Sequence, residues 1–153
     1  MRLVQRLGAV SLLLASTLLT SNLLVSNLAA QTLDQAEALW KARRFKEANE
    51  VFKVLEAKNP KNADVKVRWG RMMLDHAQPT DAQELFGEAL EIKKDHAGAL
   101  MGLALVASEN FEARAGDLAT KALDIDPKLV EAQELLAKIA LEDNNNAKAT
   151  EEA

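Results

Sequence analysis

Small residues recur along this chain at a nearly fixed interval. Ala48, Ala82, Ala115 and Ala149 are spaced by 34, 33 and 34 residues, and a second series, Ala36, Gly70, Ala104 and Ala137, by 34, 34 and 33. Other offsets travel with the first series. Four residues after each of its members come Phe52, Phe86, Ala119 and Ala153, seven after come Leu55, Ala89 and Ala122, and twelve after come Pro60, Lys94 and Pro127. The two registers agree once a residue is deleted in the turn before Ala115. A period of this length marks a chain assembled from one supersecondary unit stacked on itself.

The unit is helical. The sequence of 153 residues holds six aromatics, no Tyr, six Gly and three Pro, so a β-sandwich or barrel would lack both its strand formers and its turn residues. Where two helices of a hairpin cross closely, a side chain larger than a methyl group pushes the axes apart, which explains small residues at Gly70, Ala104, Ala48, Ala82 and Ala115. Val51, Leu85 and Leu118 share one offset, and Leu39, Met73 and Ala107 another, giving each helix an apolar stripe. Pro60 and Pro127 end the second helix of their units, because the ring cannot continue the amide ladder. Thr32 with Gln35 fits a cap on the first helix, and Thr80 or Asp81 opens a helix just after Pro79. These signals predict helices over 33–43, 45–58, 63–77, 80–93, 97–109, 112–124, 129–142 and 146–153.

The pattern resembles the tetratricopeptide repeat, a 34-residue helix–turn–helix. Its signature is a small residue in helix A, an Ala followed by an aromatic in helix B, a further Ala and a closing Pro. Trp69-Gly70, Ala82, Phe86 and Ala89-Leu90 carry the resemblance, together with Ala48, Phe52 and Pro60, and it extends from about Thr32 to Ala153. Gln35 stands where Trp69, Leu103 and Leu136 stand later, Lys94 replaces a Pro and Ala119 replaces an aromatic. The resemblance implies an all-α, right-handed α-solenoid of about three and a half repeats, approximately 32–62, 63–96, 97–128 and an incomplete 129–153.

The first thirty residues are of another kind. Arg2 and Arg6 are followed by no charged residue until Asp34, Leu7 to Leu19 is mostly Leu, Ala and Val, and Ala29-Ala30 precedes Gln31. That order of basic, apolar and small residues is that of a secretory signal peptide over residues 1–30, leaving a domain over 31–153. A retained membrane anchor is the competing reading, since the uncharged run is long enough to span a bilayer. Ser16, Thr17, Thr20, Ser21, Asn22, Ser26 and Asn27 crowd its second half and disfavour it. Cleavage removes two of 19 basic residues and none of 23 acidic ones, leaving a net charge of −6. An acidic product lacks the basic face that nucleic acid requires. The expectation is a periplasmic or secreted bacterial protein that meets membrane only through its leader during export.

Catalytic patterns are missing. With no cysteine there is no disulfide, thiolate metal site or thiol nucleophile. His76 and His96 fall in turns at opposite ends of the hairpins and are expected to be solvated. No H-E-x-x-H, P-loop or G-x-G-x-x-G occurs, and Ser108 is the one serine after Ala30. Gly98-x-x-x-Gly102 reads as close helix contact, and Asn144-Asn145-Asn146 as the hairpin turn of the fourth repeat. No enzyme activity, cofactor or metal is expected.

What remains is a surface. In such stacks the inner wall is built from exposed A-helix positions and accepts an extended or helical peptide. By offset these are Leu33, Glu37, Trp40 and Lys41 in repeat one, and Asp64, Val67, Arg68, Arg71, Leu74 and Asp75 in repeat two. Met101, Leu105 and Ser108 follow in repeat three, with Lys138 and Glu142 in the fourth. Members of the family that grip a C-terminal carboxylate use a Lys and Asn clamp. Leu33 with Glu37 and Val67 with Arg71 do not reproduce it. Trp40, Leu74, Met101 and Leu105 with Arg68 and Arg71 suit an apolar peptide carrying an acid; the competing reading packs Trp40 and Leu74 at the repeat interface. The expected function is that of an exported, non-catalytic scaffold for a protein or peptide partner. The alternative is the repeat portion of a larger secreted enzyme, such as a peptidase, with its catalytic domain beyond residue 153. The register ends about halfway through a helix B, so the fourth repeat is expected to be truncated or to be covered by another molecule, including a second copy.

Overall fold

A computed structural model describes residues 32–151. The leader expected over residues 1–30 lies outside them. The described residues form seven helices and no strand: α1 (Leu33–Lys41), α2 (Phe45–Lys58), α3 (Ala63–Asp75), α4 (Pro79–Ile92), α5 (Ala97–Glu109), α6 (Arg114–Ile125) and α7 (Val130–Glu151). Thr32 caps α1 through its side-chain oxygen, which accepts from the Gln35 amide at 3.2 Å. α4 begins one residue before the sequence suggests, with Pro79 itself in the first turn, where its missing N–H costs nothing.

Helices pair as hairpins, α1 with α2, α3 with α4 and α5 with α6, and each hairpin packs on the next. The odd-numbered helices also touch their neighbours, α1 with α3, α3 with α5 and α5 with α7, whereas no Cα of α2 lies within 8 Å of one in α4. Approach along one edge and separation along the other give an all-α solenoid with the odd helices on its inner face.

The small residues sit where the helices cross. Ala36, Ala48, Ala82 and Ala104 are fully buried, and Ala115 nearly so. Phe86 lies in a slot that two glycines create. A Cβ placed on Gly102 would come within 2.4 Å of its ring, and one on Gly70 within 2.8 Å. Gly102 therefore does serve close packing, against α4.

The turn inside each of the first three hairpins contains one residue with positive φ: Arg43 (60°), Ala77 (56°) and Phe111 (56°), spaced by 34 residues. This left-handed conformation reverses the chain after helix A, and none of the three is the glycine that adopts it most readily.

The fourth unit departs from expectation. The turn predicted at Asn144-Asn145-Asn146 and the separate helix predicted over 146–153 do not form, and α7 runs unbroken from Val130 to Glu151. Folding back would close a loop for a helix of eight residues whose apolar members are alanines, and so short a helix is marginal. Continuing in line keeps the i to i+4 hydrogen bonds. Ala137 consequently lies exposed, although its equivalents Ala36, Gly70 and Ala104 are buried beneath a helix B. Leu141 is 64% exposed.

Candidate binding groove

Five of the expected groove residues, Trp40, Arg71, Leu74, Asp75 and Leu105, surround one hollow of about 200 Å3 on the inner face, joined by Glu109 and Glu131. Trp40 comes from the last turn of α1, Arg71 to Asp75 from the end of α3, and Leu105 from the middle of α5. Trp40 is half-buried, and its indole N–H donates to the Asp75 carboxylate at 2.9 Å, fixing the ring across the α1–α3 seam. Lys41 lines an adjoining hollow of about 270 Å3 with Trp40, Arg43 and Asp75.

The charged groups here are largely paired with one another. Arg71 reaches Glu131 on α7 through two N–H···O bonds of 2.5 Å each, spanning the inner side of α5. Arg68 pairs with Glu37 at 3.2 Å between α3 and α1. A paired guanidinium is still a receptor for an anion, but an incoming carboxylate has to compete with the one already bound.

Two expected groove positions are buried. Val67 is 6% exposed and Met101 fully buried. Because α3 packs against α5, their offset points into the seam between inner helices; a Cβ on Gly98 would meet Val67 Cγ1 at 3.2 Å. Leu33 packs half-buried on the core around Ala36. Asp64 stands at the other end of α3, 3.1 Å from His96 Nε2. Ser108 and Glu142 line a different hollow with Phe111 and Ile139, and Lys138 lies 3.9 Å from Glu142.

The histidines also divide. His76 is exposed and stacks on Phe45 at 4.5 Å. His96 departs from the solvated turn histidine expected, since its side chain is 14% exposed and its Nδ1 is buried without a hydrogen-bond partner among the described residues. Gly98, in the first turn of α5, leaves room for the ring, which a Cβ there would meet at 3.3 Å.

Glu131 and Glu109 were not legible as groove residues. Glu131 lies 60 positions from Arg71, and its one local signal is that of an acid in the first turn of a helix, which its favourable interaction with the helix dipole already explains.

Among the described residues no group of three or more His, Asp or Glu side chains is placed to hold a metal ion, and no helix is long and apolar enough to cross a membrane.

No protein-family model matches the sequence, and no curated protein matches it significantly. Solved structures do. The TPR domain of Arabidopsis OM64 aligns over 76% of this chain and 98% of its own, with a TM-score of 0.68 at 16% identity. The chain has the tetratricopeptide-repeat fold. The first TPR domain of Spaghetti (RPAP3), bound to the HSP90 peptide SRMEEVD, aligns over 71% of this chain and 87% of its own, with a TM-score of 0.65 at 14% identity. YrrB, described as a TPR protein with an unusual peptide-binding site, aligns over 65% of this chain and 52% of its own, with a TM-score of 0.59 at 19% identity. Within the tetratricopeptide fold, the hollow around Arg71 lies on the inner wall made by helices A.

Proposed function

We propose that this protein is a non-catalytic scaffold that binds a peptide segment through the inner wall of its tetratricopeptide stack, with the hollow around Arg71 as the centre of recognition. One observation carries the reading. Trp40, Leu74 and Leu105 form an apolar floor beside a guanidinium whose present partner, Glu131, has the chemistry of a ligand carboxylate. A peptide with an apolar residue next to Glu or Asp would seat the first on the floor and exchange its acid for Glu131. Two neighbours are described by their peptide or peptide-binding site, which supports peptide binding as a use for the fold. The peptide bound to the RPAP3 domain, SRMEEVD, combines Met and Val with three acids.

A peptide array probed with the purified protein tests this. Binding sequences should pair apolar residues with acids. By titration, Arg71→Gln should weaken them tenfold or more and Glu131→Gln should strengthen them, because it frees the guanidinium. Sequences bound equally by Arg71→Gln would move the site off this wall.

We also propose export to the periplasm or beyond the cell, on the strength of Arg2, Arg6, the apolar Leu7–Leu19 and Ala29-Ala30. Mass spectrometry of protein recovered from cells should give a chain beginning near Gln31. An intact Met1 on a membrane-bound product would overturn export with cleavage.

A further inference from the structure

The outer face carries a second groove, built differently from the inner one. α2 and α4 stand apart, and between them α3 floors a hollow of about 390 Å3. Met72 and Met73 lie in this floor beside Trp69, whose indole N–H donates to Asn49 Oδ1 at 2.8 Å. Phe45, stacked on His76, closes the end nearest the hairpin turns. The two walls differ in charge. Lys46 on α2 has no ionic or hydrogen-bond partner among the described residues, and neither have Asp81 and Glu84 on α4. The faces of Trp69 and Phe45, with the polarisable Met72 and Met73 buried beneath them, form a receptor for another aromatic ring.

The same molecule displays such a ring. Phe111 is 92% exposed, the most exposed large apolar residue described, and it holds φ at 56°. Left-handed backbone is a feature of this turn in every hairpin, as Arg43 and Ala77 show, but a bulky aromatic in it is strained. The ring borders a hollow with Ile139 of α7, yet nearly all of its surface remains open. Just after it Glu112 and Arg114 form an ion pair of 2.5 Å, so the turn presents one aromatic followed by an acid and a base.

We propose that the Phe111 turn of one copy docks in the groove between α2 and α4 of a second copy. Charge complementarity selects this occupant. With the ring against Trp69 and Phe45, Arg114 and Glu112 exchange each other for the unpaired Asp81 and Glu84 on one wall and the unpaired Lys46 on the other. The two surfaces are unlike, so the contact is heterologous. It is separate from the inner-wall site. One side chain and its flanks bury far less than a standard interface, so the association is weak and concentration-dependent.

Sedimentation equilibrium of the purified protein from roughly 10 to 1,000 µM, the range in which so small an interface populates, reads the outcome directly. The mass should rise above one chain with concentration. Phe111→Asn, which suits left-handed backbone better, and the double variant Asp81→Asn/Glu84→Lys should each remain single chains of unchanged helicity. An equimolar mixture of the two should associate again and stop at two chains, since each supplies the surface the other lacks. A single chain throughout for the native protein, association that survives in Phe111→Asn, or a mixture that stays monomeric would each overturn the proposal. Association through the exposed face of α7, which Phe111 borders, would survive in Asp81→Asn/Glu84→Lys and so belongs to the overturning results. Peptide capture by the Arg71 wall should be unaffected in either variant, which keeps the two sites separable.

Discussion

The guanidinium of Arg71 on α3 and the carboxylate of Glu131 on α7 are joined by two hydrogen bonds across the helix between them, linking the second repeat to the fourth. Neither side chain is fully exposed, at 23% and 39%. A parallel two-pronged pair of this kind is stronger than a single-point surface ion pair. It does two things at once: it ties α3 to α7 across α5 and occupies the one cation lining the apolar hollow.

A double-mutant cycle with Arg71→Gln and Glu131→Gln should therefore give a coupling of about 1 kcal/mol in urea unfolding, at the upper end for exposed pairs. Arg71→Glu is a poor probe of binding. It sets a second carboxylate against Glu131 and should cost stability as well as capture.

The glycines give a contrast within one fold. Gly102→Ala drives a methyl group into the Phe86 ring and should destabilise by about 1–3 kcal/mol, the usual range for overpacking. Gly87→Ala on α4 meets nothing within 4 Å and should stabilise by about 0.5–1 kcal/mol through helix propensity. Thermal denaturation of the two variants should show melting points moving in opposite directions.

At the hairpin turn, Ala77→Gly should raise stability by several tenths of a kcal/mol, up to about 1, because it removes the steric cost of left-handed backbone at φ 56°. Ala82→Leu, at a fully buried crossing, should instead unfold the stack or come close to it. Equal melting temperatures for these two variants would show the repeat register to be wrong.

Lys66 is the one buried charged side chain among the described residues, at 6% exposure, held by Glu56 at 2.6 Å and Glu88 at 2.5 Å. Burial by itself lowers its pKa, but hydrogen bonds and charge attraction from the two carboxylates outweigh that and hold it above the ordinary lysine value. A raised folded-state pKa stabilises fully below the unfolded value of about 10.4 and is lost as pH climbs through the folded one. Unfolding followed from pH 7 upward should show the Lys66 contribution constant to about pH 10 and declining beyond. In Lys66→Met the alkaline decline should be smaller.

Much of the architecture could be read before any coordinates. Ala48, Ala82, Ala115, Gly70 and Ala104 announce the hairpins because a helix crossing is decided by residues near in sequence, and a crossing tolerates little beyond a methyl group. Thr32 as a cap and the stops before Pro60 and Pro127 are equally local. The single unbroken α7 was not legible, since the register at Ala149 copies a helix B while the energy of folding back depends on how much that helix buries.

The groove divides along the same line. Trp40, Arg71, Leu74, Asp75 and Leu105 share one hollow because helical offset alone brings them to the inner wall. Val67 and Met101 obey the same kind of offset and are buried nonetheless, because the approach of α3 to α5 turns that row into a seam. The pairing of Arg71 with Glu131 and of Arg68 with Glu37, and the opposed charges across the α2–α4 groove, depend on how successive hairpins are set against one another. Sequence by itself determined the repeated unit, whose contacts lie within about a turn or a hairpin of each other. Only the tertiary structure decided which charges meet, because that follows from the small rotation between units, to which side chains from three helices contribute at once.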